Sequence, residues 1–284
     1  MSTTPPFWQT SRFRIDLTRP RVMGIVNVTP DSFSDGGQHA TADAARAHCD
    51  RLVAEGADIL DIGGESTRPG STRPDTAEEL ARVLPVIRHA VTLGVPVSVD
   101  TSDPRVMTEA LELGADILND VRALREPGAL AVAASHPTAG VCLMHMQGTP
   151  ATMQDAPAYD DDDVVTAVVR FLAARRDAAV AAGIAVERIV LDPGIGFGKT
   201  LAHNLALSVG QHAFSALGQP LLLGWSRKGA LGKLTGRPLE DRVVASVAAA
   251  LAAVHQGAAI VRVHDVAPTV DALKVWSALT TAGG

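Results

Sequence analysis

Eight short, continuous apolar runs rich in β-branched residues recur along the 284-residue chain, separated by Ala-, Leu- and Arg-rich segments of helical period. The runs are Val22–Val28, Asp58–Ile62, Pro96–Val99, Ala115–Leu118, Gly140–Met144, Ile189–Leu191, Pro220–Leu223 and Ala258–Val263. The spacing predicts helices over Ala42–Glu55, Thr76–Thr92, Pro104–Leu113, Pro127–Ser135, Asp161–Ala182, Leu201–Leu217, Leu239–Gln256 and Ala267–Leu279. Strands that are apolar throughout, rather than alternately, are buried on both faces, as in a parallel sheet covered by helices. A weak repeat supports this order: Gly56, Gly114 and Gly257 each stand between a helix and the next strand, where a left-handed helix cap suits glycine. Eight such units without a composition break predict an α/β fold, a closed (β/α)8 TIM barrel. The barrel forms a single domain over residues 1–284, with its core at about 14–279. An open doubly wound sheet is the alternative and usually has fewer strands.

The segment Phe13–Thr18 is expected as a small strand or cap at the barrel bottom. Thr29–Ala40, Ser66–Asp75 and Gln147–Asp160 are too rich in Gly, Pro, Ser and Thr for regular structure. All three follow strands, so they belong to the face where barrels carry their sites. With 25 Lys+Arg against 31 Asp+Glu and no basic block, the chain is not a general binder of nucleic acid or acidic lipid. Residues 1–14 hold two prolines and no apolar core of a signal peptide, and the longest apolar run, Val243–Val254, is too short to span a bilayer. Cys49 and Cys142 read as buried free thiols. Together these features predict a soluble cytoplasmic protein.

The test of a barrel is what its strands end on, and here they end on polar groups: Asn27, Asp61, Asp100, Asn119 and Asp120, Asp192, Ser226-Arg227-Lys228, and Arg262 with His264. Any one of these could be a helix cap or turn residue. Together they mix hydrogen-bonding carboxylates and amides with cations, a set able to read a polar heterocycle and hold an anion. Arg262 and His264 share one strand face, with Val263 on the other, and two donors projecting together suit a phosphate. Asp192–Thr200 ends in Gly-Lys-Thr, but a nucleotide phosphate loop needs glycine where Pro193 stands. Its glycines instead imply positive φ or a close backbone approach. His145 has no second ligand at metal-binding spacing and reads as structural, and Asp160–Asp163 reads as a solvated helix start.

The segments Asn27–Gly37, Asp61–Gly70, Val97–Thr101, Met144–Pro150, Asp192–Lys199, Ser226–Lys228 and Arg262–His264 stand in the order of the dihydropteroate synthase family. The chain closely resembles that family over Arg14–Leu279. The resemblance implies a Mg2+-dependent enzyme of folate biosynthesis that joins 4-aminobenzoate to (7,8-dihydropterin-6-yl)methyl diphosphate, releasing pyrophosphate. It implies Asn27 as the protein ligand to Mg2+, and Asp100, Asn119, Asp192, Lys228 and Met144 around the pterin. Thr67, Arg68, Arg262 and His264 would hold the diphosphate, with Lys228 joining Arg68, Arg262 and His264 in catalysis. Phe33, Thr67, Pro69, Gly196, Phe197 and Ser226 would form the 4-aminobenzoate pocket. The family resemblance also implies a homodimer and inhibition by sulfonamides.

Two departures stand out: Trp225 where a smaller residue is common, and Gly229 where Ser or a basic residue often sits. Both bear on the shape of the pocket rim. Two alternatives remain at this point. A corrinoid-linked methyltetrahydrofolate methyltransferase would share the pterin-binding Asp and Asn, but would not need Ser226–Lys228 or Arg262 and His264. A catalytically silent paralogue would keep the barrel as a binding module. On either synthase or paralogue reading, Arg68, Lys228, Arg262 and His264 predict a locally positive site.

Overall fold

A computed structural model describes residues 6–29, 37–66, 70–159 and 163–281. Its chain begins with a hairpin, β1 (Phe7–Gln9) and β2 (Arg14–Asp16), followed by β3 (Arg21–Asn27), α1 (Gly37–Ala54), β4 (Ile59–Gly63), α2 (Thr76–Ala90), β5 (Val97–Asp100) and α3 (Pro104–Glu112). It continues with β6 (Ile117–Asp120), α4 (Ala129–Ser135), β7 (Gly140–Met144), α5 (Val164–Ala181), β8 (Ile189–Asp192) and α6 (Leu201–Val209). β9 (Leu222–Leu223), α7 (Gly229–Thr235), α8 (Val243–His255), β10 (Ile260–Val263) and α9 (Val266–Thr281) complete it.

β3 to β10 pair in parallel in the order β8-β7-β6-β5-β4-β3-β10-β9. A parallel bridge between Leu191 and Leu221 joins the two ends, with the Leu191 amide donating to the Pro220 carbonyl at 3.0 Å, so the sheet closes. All eight expected strands are present. The three cap glycines have φ of 98° at Gly56, 98° at Gly114 and 94° at Gly257, the left-handed conformation that turns each helix into its next strand.

The helices differ from expectation at three places. Leu201–Leu217 is broken at Gly210 into α6 and a 3-10 segment, Gln211–Leu217; Gly210 caps α6 where a side chain would meet Val165. Leu239–Gln256 resolves into a 3-10 turn and α8. α7 was not expected; it is short and contains two glycines, so no helical period is readable there. Asp163 caps α5, accepting from the Thr166 amide at 3.0 Å, while residues 160–162 lie outside the described ones.

Because side chains alternate along a strand, each strand sends one row outward under the helices and one row into the barrel. The outward row joins the large sheet-to-helix core, for example Leu60, Val99, Leu118, Leu143, Leu191 and Val263. The inward row at the bottom is a separate apolar cluster of Met23, Ile59, Ile117, Cys142, Val190, Leu222 and Ile260. The β1–β2 hairpin seals it. Trp8 is fully buried against this layer and donates its indole N–H to the Arg188 carbonyl at 2.8 Å, while Arg12 grips Asp116 through two nitrogens. The cap expected near Phe13–Thr18 is therefore present as β2, and its partner β1 is an addition to the sequence reading. Cys49 and Cys142 are both buried and free. Among the described residues no helix is long and apolar enough to cross a membrane.

Truncating the seal should be costly: Trp8→Ala is expected to lower stability by about 3–5 kcal/mol, the range for removing a large buried aromatic side chain. Urea unfolding monitored by circular dichroism checks this, and a loss under about 1 kcal/mol would mean the hairpin is not part of the barrel core.

Candidate active site

Two residues beyond the apolar bottom layer, the inward row turns polar. Counting on from Ile59, Ile117, Val190 and Ile260 gives Asp61, Asn119, Asp192 and Arg262, with Met144 following Cys142 and Asp100 ending β5. The strand periodicity that sends Val263 outward thus projects Arg262 and His264 into the barrel mouth, as expected from their spacing.

Arg262 organises this layer. Its Nε donates to Asp61 Oδ2 at 2.6 Å and a terminal nitrogen donates to Asp100 Oδ2 at 2.7 Å. Asp61, fully buried, also accepts from Asn119 Nδ2 at 3.0 Å, which fixes which end of that amide faces away from it. Among the described residues neither Asp61 Oδ1 nor Ser98 Oγ, on register-paired residues of neighbouring strands, has a hydrogen-bond partner. Burial raises the Asp100 carboxyl while the Arg262 guanidinium beside it pulls it down, and burial raises Asp192 against the pull of Lys228. Burial pulls the Lys228 ammonium down to about 8, with Asp192 opposing. It works against the Arg262 charge as well, but Asp61 and Asp100 outweigh it and hold that guanidinium protonated. The expectation of a simply positive pocket therefore needs correcting among the described residues. Arg262 is matched by two carboxylates, because an isolated cation inside a barrel would lack compensation for its lost hydration.

The segment after β8 supplies the opposite wall. Gly194, Gly196 and Gly198 have φ of 69°, 83° and 63°, and a side chain at Gly194 would collide with the His145 carbonyl. The glycine spacing that resembles a phosphate loop is thus a backbone requirement. Lys199 is its staple: buried, it donates to the Gly194 carbonyl at 2.8 Å, the Phe197 carbonyl at 3.0 Å and His145 Nδ1 at 2.9 Å. Burial and the Lys199 charge pull His145 down to about 2, so this histidine is a neutral acceptor with a structural role. Thr200 ends the segment as the N-cap of α6, in a capping box with His203. The result sets Phe197 against Lys228, whose Nζ lies 4.5 Å from the ring centroid and donates to the Ile195 carbonyl. Gly196 leaves room for the Lys228 stem, 3.0 Å from where a β-carbon would stand. Met144 packs beside this wall with Met146 and Met153.

The loops after β9 and β10 are cross-linked. Ser226 Oγ contacts the His264 amide and Nδ1. The neighbouring Arg227, at φ 57°, donates from Nε to Asp265 at 2.9 Å and pairs with it through a second nitrogen. A non-glycine residue in the left-handed region costs about 1–2 kcal/mol, and the ion pair holds it there. Trp225 is buried in the outer core rather than on the pocket rim, and Gly229 begins α7 with open space around it.

Of the other expected site residues, Asn27 is half-buried at the end of β3, in register with Gly63, whose other partner is Asp100. Phe33, Thr67, Arg68 and Pro69 lie outside the described residues. Of the described residues on either side, Glu65, with its side chain 5% exposed, pairs with Arg122 at 2.8 Å, and Arg73 reaches Glu126 at 3.4 Å. Asp120 turns outward to accept from the Arg122 and Leu124 amides and from Ser102, so it supports this ion pair rather than the pocket. The sequence reading gave no role to Glu65 or Arg122, and it placed Asp61 only among the polar strand ends. Asp61 had a signal, a charge in the middle of an apolar parallel strand.

With this geometry in place, comparison with known proteins is decisive. The family described as "Pterin binding enzyme" matches residues 23–264. A dihydropteroate synthase of Neisseria meningitidis serogroup B is 55% identical over 280 residues, covering 96% of this chain and 97% of the relative. The chain belongs to the dihydropteroate synthase family of pterin-binding enzymes. The Xanthomonas albilineans dihydropteroate synthase solved with 4-aminobenzoic acid superposes with a TM-score of 0.88 at 55% identity, covering 94% of this chain and 95% of that one. The Burkholderia cenocepacia dihydropteroate synthase complexed with 7,8-dihydropteroate gives 0.88 at 48% identity, covering 98% of each chain. The barrel expected from the sequence is the fold of this family.

The packing of α2 beneath Gly64 carries a pH dependence. Glu79 of α2, under Gly64, accepts from Thr101 at 2.5 Å, and burial raises its carboxyl from 4.5 to about 7. A folded-state value above the unfolded one favours the protonated form, so its stabilisation is full below pH 4.5 and lost as pH rises through about 7. Glu79→Gln should therefore gain about 3 kcal/mol relative to wild type between pH 4 and pH 8. Denaturation curves of both proteins across that range test it, and parallel pH profiles would contradict it.

Proposed function

We propose that the chain joins 4-aminobenzoate to (7,8-dihydropterin-6-yl)methyl diphosphate, forming 7,8-dihydropteroate and releasing pyrophosphate. The observation that carries this reading is the meeting, at one barrel mouth, of Asp100, Asn119 and Asp192 with Lys228, Arg262 and His264. The first three can accept from the amino and ring N–H groups of a pterin, and the last three can face an anion. The solved relatives with 4-aminobenzoic acid and with 7,8-dihydropteroate support the two halves of the reaction. A methyl transfer from methyltetrahydrofolate would leave the anion-facing groups without work.

In the reaction the C–O bond between the pterin methylene and the diphosphate breaks, its electron pair leaving with the diphosphate. The aryl amine nitrogen forms the new C–N bond, and its proton passes to solvent. The methylene is attached to an electron-rich ring, so positive charge develops there as the bond lengthens. Asp100 and Asp192 suit a ring that becomes cationic, while Arg262, His264 and Arg68 face the charge growing on the leaving group. Met144 packs beside the pterin, and Lys228 reaches its polar edge. Thr67 joins the diphosphate side. Phe33, Thr67, Pro69, Gly196, Phe197 and Ser226 border the 4-aminobenzoate, which needs orientation rather than a strong base, because an aryl amine is neutral at pH 7.

Asn27 fits a Mg2+ site of a particular kind. It is a hard oxygen donor at a strand end, and among the described residues no cluster of three His, Cys, Asp or Glu could enclose a metal. That donor set suits Mg2+, which keeps waters and takes phosphate oxygens with one or two protein ligands. The ion would neutralise charge on the diphosphate when bound. We further place the enzyme in the cytoplasm as a homodimer; its two free thiols fit a reducing compartment, and the exposed Val209, Val244, Val275 and Leu279 offer apolar surface to a second copy.

Incubation with both substrates and Mg2+ should release pyrophosphate, and no release would favour a silent binding module. Arg262→Ala is expected to lower kcat by about 10²–10³, whereas Asp192→Asn should chiefly raise the KM for the pterin substrate. Wild-type turnover in Arg262→Ala would remove its leaving-group role. A chelator should abolish the condensation and added Mg2+ restore it; activity indifferent to the chelator would remove the metal.

A further inference from the structure

The contact between Ser226 and His264 determines more than the spacing of two loops. Ser226 follows β9 and His264 follows β10, the neighbouring strand, and Ser226 is buried at 6% exposure. Among the described residues its Oγ has two partners, both on His264: the backbone amide at 3.1 Å and ring Nδ1 at 3.0 Å. The amide can only donate, so it occupies a lone pair of the hydroxyl oxygen. The single hydroxyl proton then has Nδ1 as its acceptor, since a buried hydroxyl without one would lose its hydration for nothing. A neutral imidazole that accepts at Nδ1 carries its proton at Nε2. When the ring is protonated, Nδ1–H turns to the second lone pair of Oγ and Nε2 still carries a proton. Arg227 and Asp265, next to this pair on both loops, hold the turn in which it forms.

We propose that Ser226 is a positioning residue that fixes His264 as a hydrogen-bond donor through Nε2 in both of its protonation states. The ring therefore serves an anionic oxygen and is unsuited to act through Nε2 as a base toward the aryl amine. While the ring is neutral, the Ser226 hydroxyl has its one proton committed to His264 and does not donate to the carboxylate of 4-aminobenzoate. This inference rests on the reading of His264 as a diphosphate-facing group, but its structural part can be measured without turnover.

The experiment is 15N NMR of the imidazole nitrogens in the full-length protein, with His264→Gln assigning the resonance. Wild type above the titration of His264 should show the Nε2–H tautomer. Ser226→Ala should shift both ring nitrogens toward a mixture and lower kcat about tenfold, the factor of one ordinary hydrogen bond; because alanine keeps the backbone and β-carbon with which this residue borders 4-aminobenzoate, the loss should fall on kcat rather than on the KM for that substrate. Ser226→Thr keeps a hydroxyl and should restore both readouts. An Nδ1–H tautomer in wild type overturns the proposal even if Ser226→Ala fails to fold. So does a Ser226→Ala protein with wild-type ring shifts, or one that raises the KM for 4-aminobenzoate at constant kcat. A wild-type protein that shows the Nε2–H tautomer but releases no pyrophosphate would refute the enzymatic reading while leaving the Ser226–His264 geometry standing.

Discussion

Arg262, gripped by Asp61 and Asp100 inside the barrel, is the constraint on which the rest of the site depends. Taking three charges out of water is expensive, and their mutual attraction offsets that cost only when geometry and hydrogen bonding are good. Asp61 has no exposure at all, so its position is set by the strand and by Arg262 together. Through its bond to Asn119 it transmits that position to a second strand, and through Arg262 to a third. One carboxylate thus ties β4, β6 and β10 at the level where a planar heterocycle would lie, and the groups proposed to read the pterin are ordered before it arrives. That is the preorganisation from which electrostatic catalysis draws its effect, because the donors and acceptors need not reorganise during reaction.

The loops obey a complementary rule. Where β8, β9 and β10 end, the chain is held by contacts that cross from one loop to the next: Lys199 staples the glycine segment onto His145, and the Ser226–Arg227 pair meets His264–Asp265. Where β4 ends, Glu65 and Arg122 make a buried ion pair. Lys199 and Arg122 are the kind of cations that a sequence reading assigns to ligands. In this fold they are spent on backbone carbonyls and a carboxylate, which fixes the walls against which ligand-facing groups such as Lys228 are placed.

Much of this was legible in the sequence because barrels follow alternation. Continuous apolar runs gave all eight strands, and what followed each run located Asp100, Asn119, Asp192, Lys228, Arg262 and His264 at one mouth. The same logic identified the cap glycines by the turn each must make. What was not legible lies where neighbours decide. Arg227 has no sequence mark of its positive φ, since that conformation depends on Asp265, 38 residues away. α7 has no helical period to read in seven residues with two glycines. The balance of charge at the mouth is not legible from strand ends alone, because Asp61 sits mid-strand in β4 and turns inward beneath Arg262.

The barrel interior is thus divided along its axis between opposing demands. The lower row of Met23, Ile59, Ile117, Cys142, Val190, Leu222 and Ile260, sealed by Trp8, is an apolar layer whose burial favours folding. The row above it carries charges whose burial opposes folding, including an Asp61 oxygen with no hydrogen-bond partner among the described residues. Replacing a buried ion cluster by apolar residues of similar volume is often neutral or stabilising, whereas removing one member leaves the others uncompensated. The upper row would therefore be lost readily if stability were the only demand on it, and its cost is the physical sign that this end of the barrel is a site. The lower row and the hairpin beneath it supply the stability that lets such a layer persist, which explains why the two ends of the same eight strands carry such different residues.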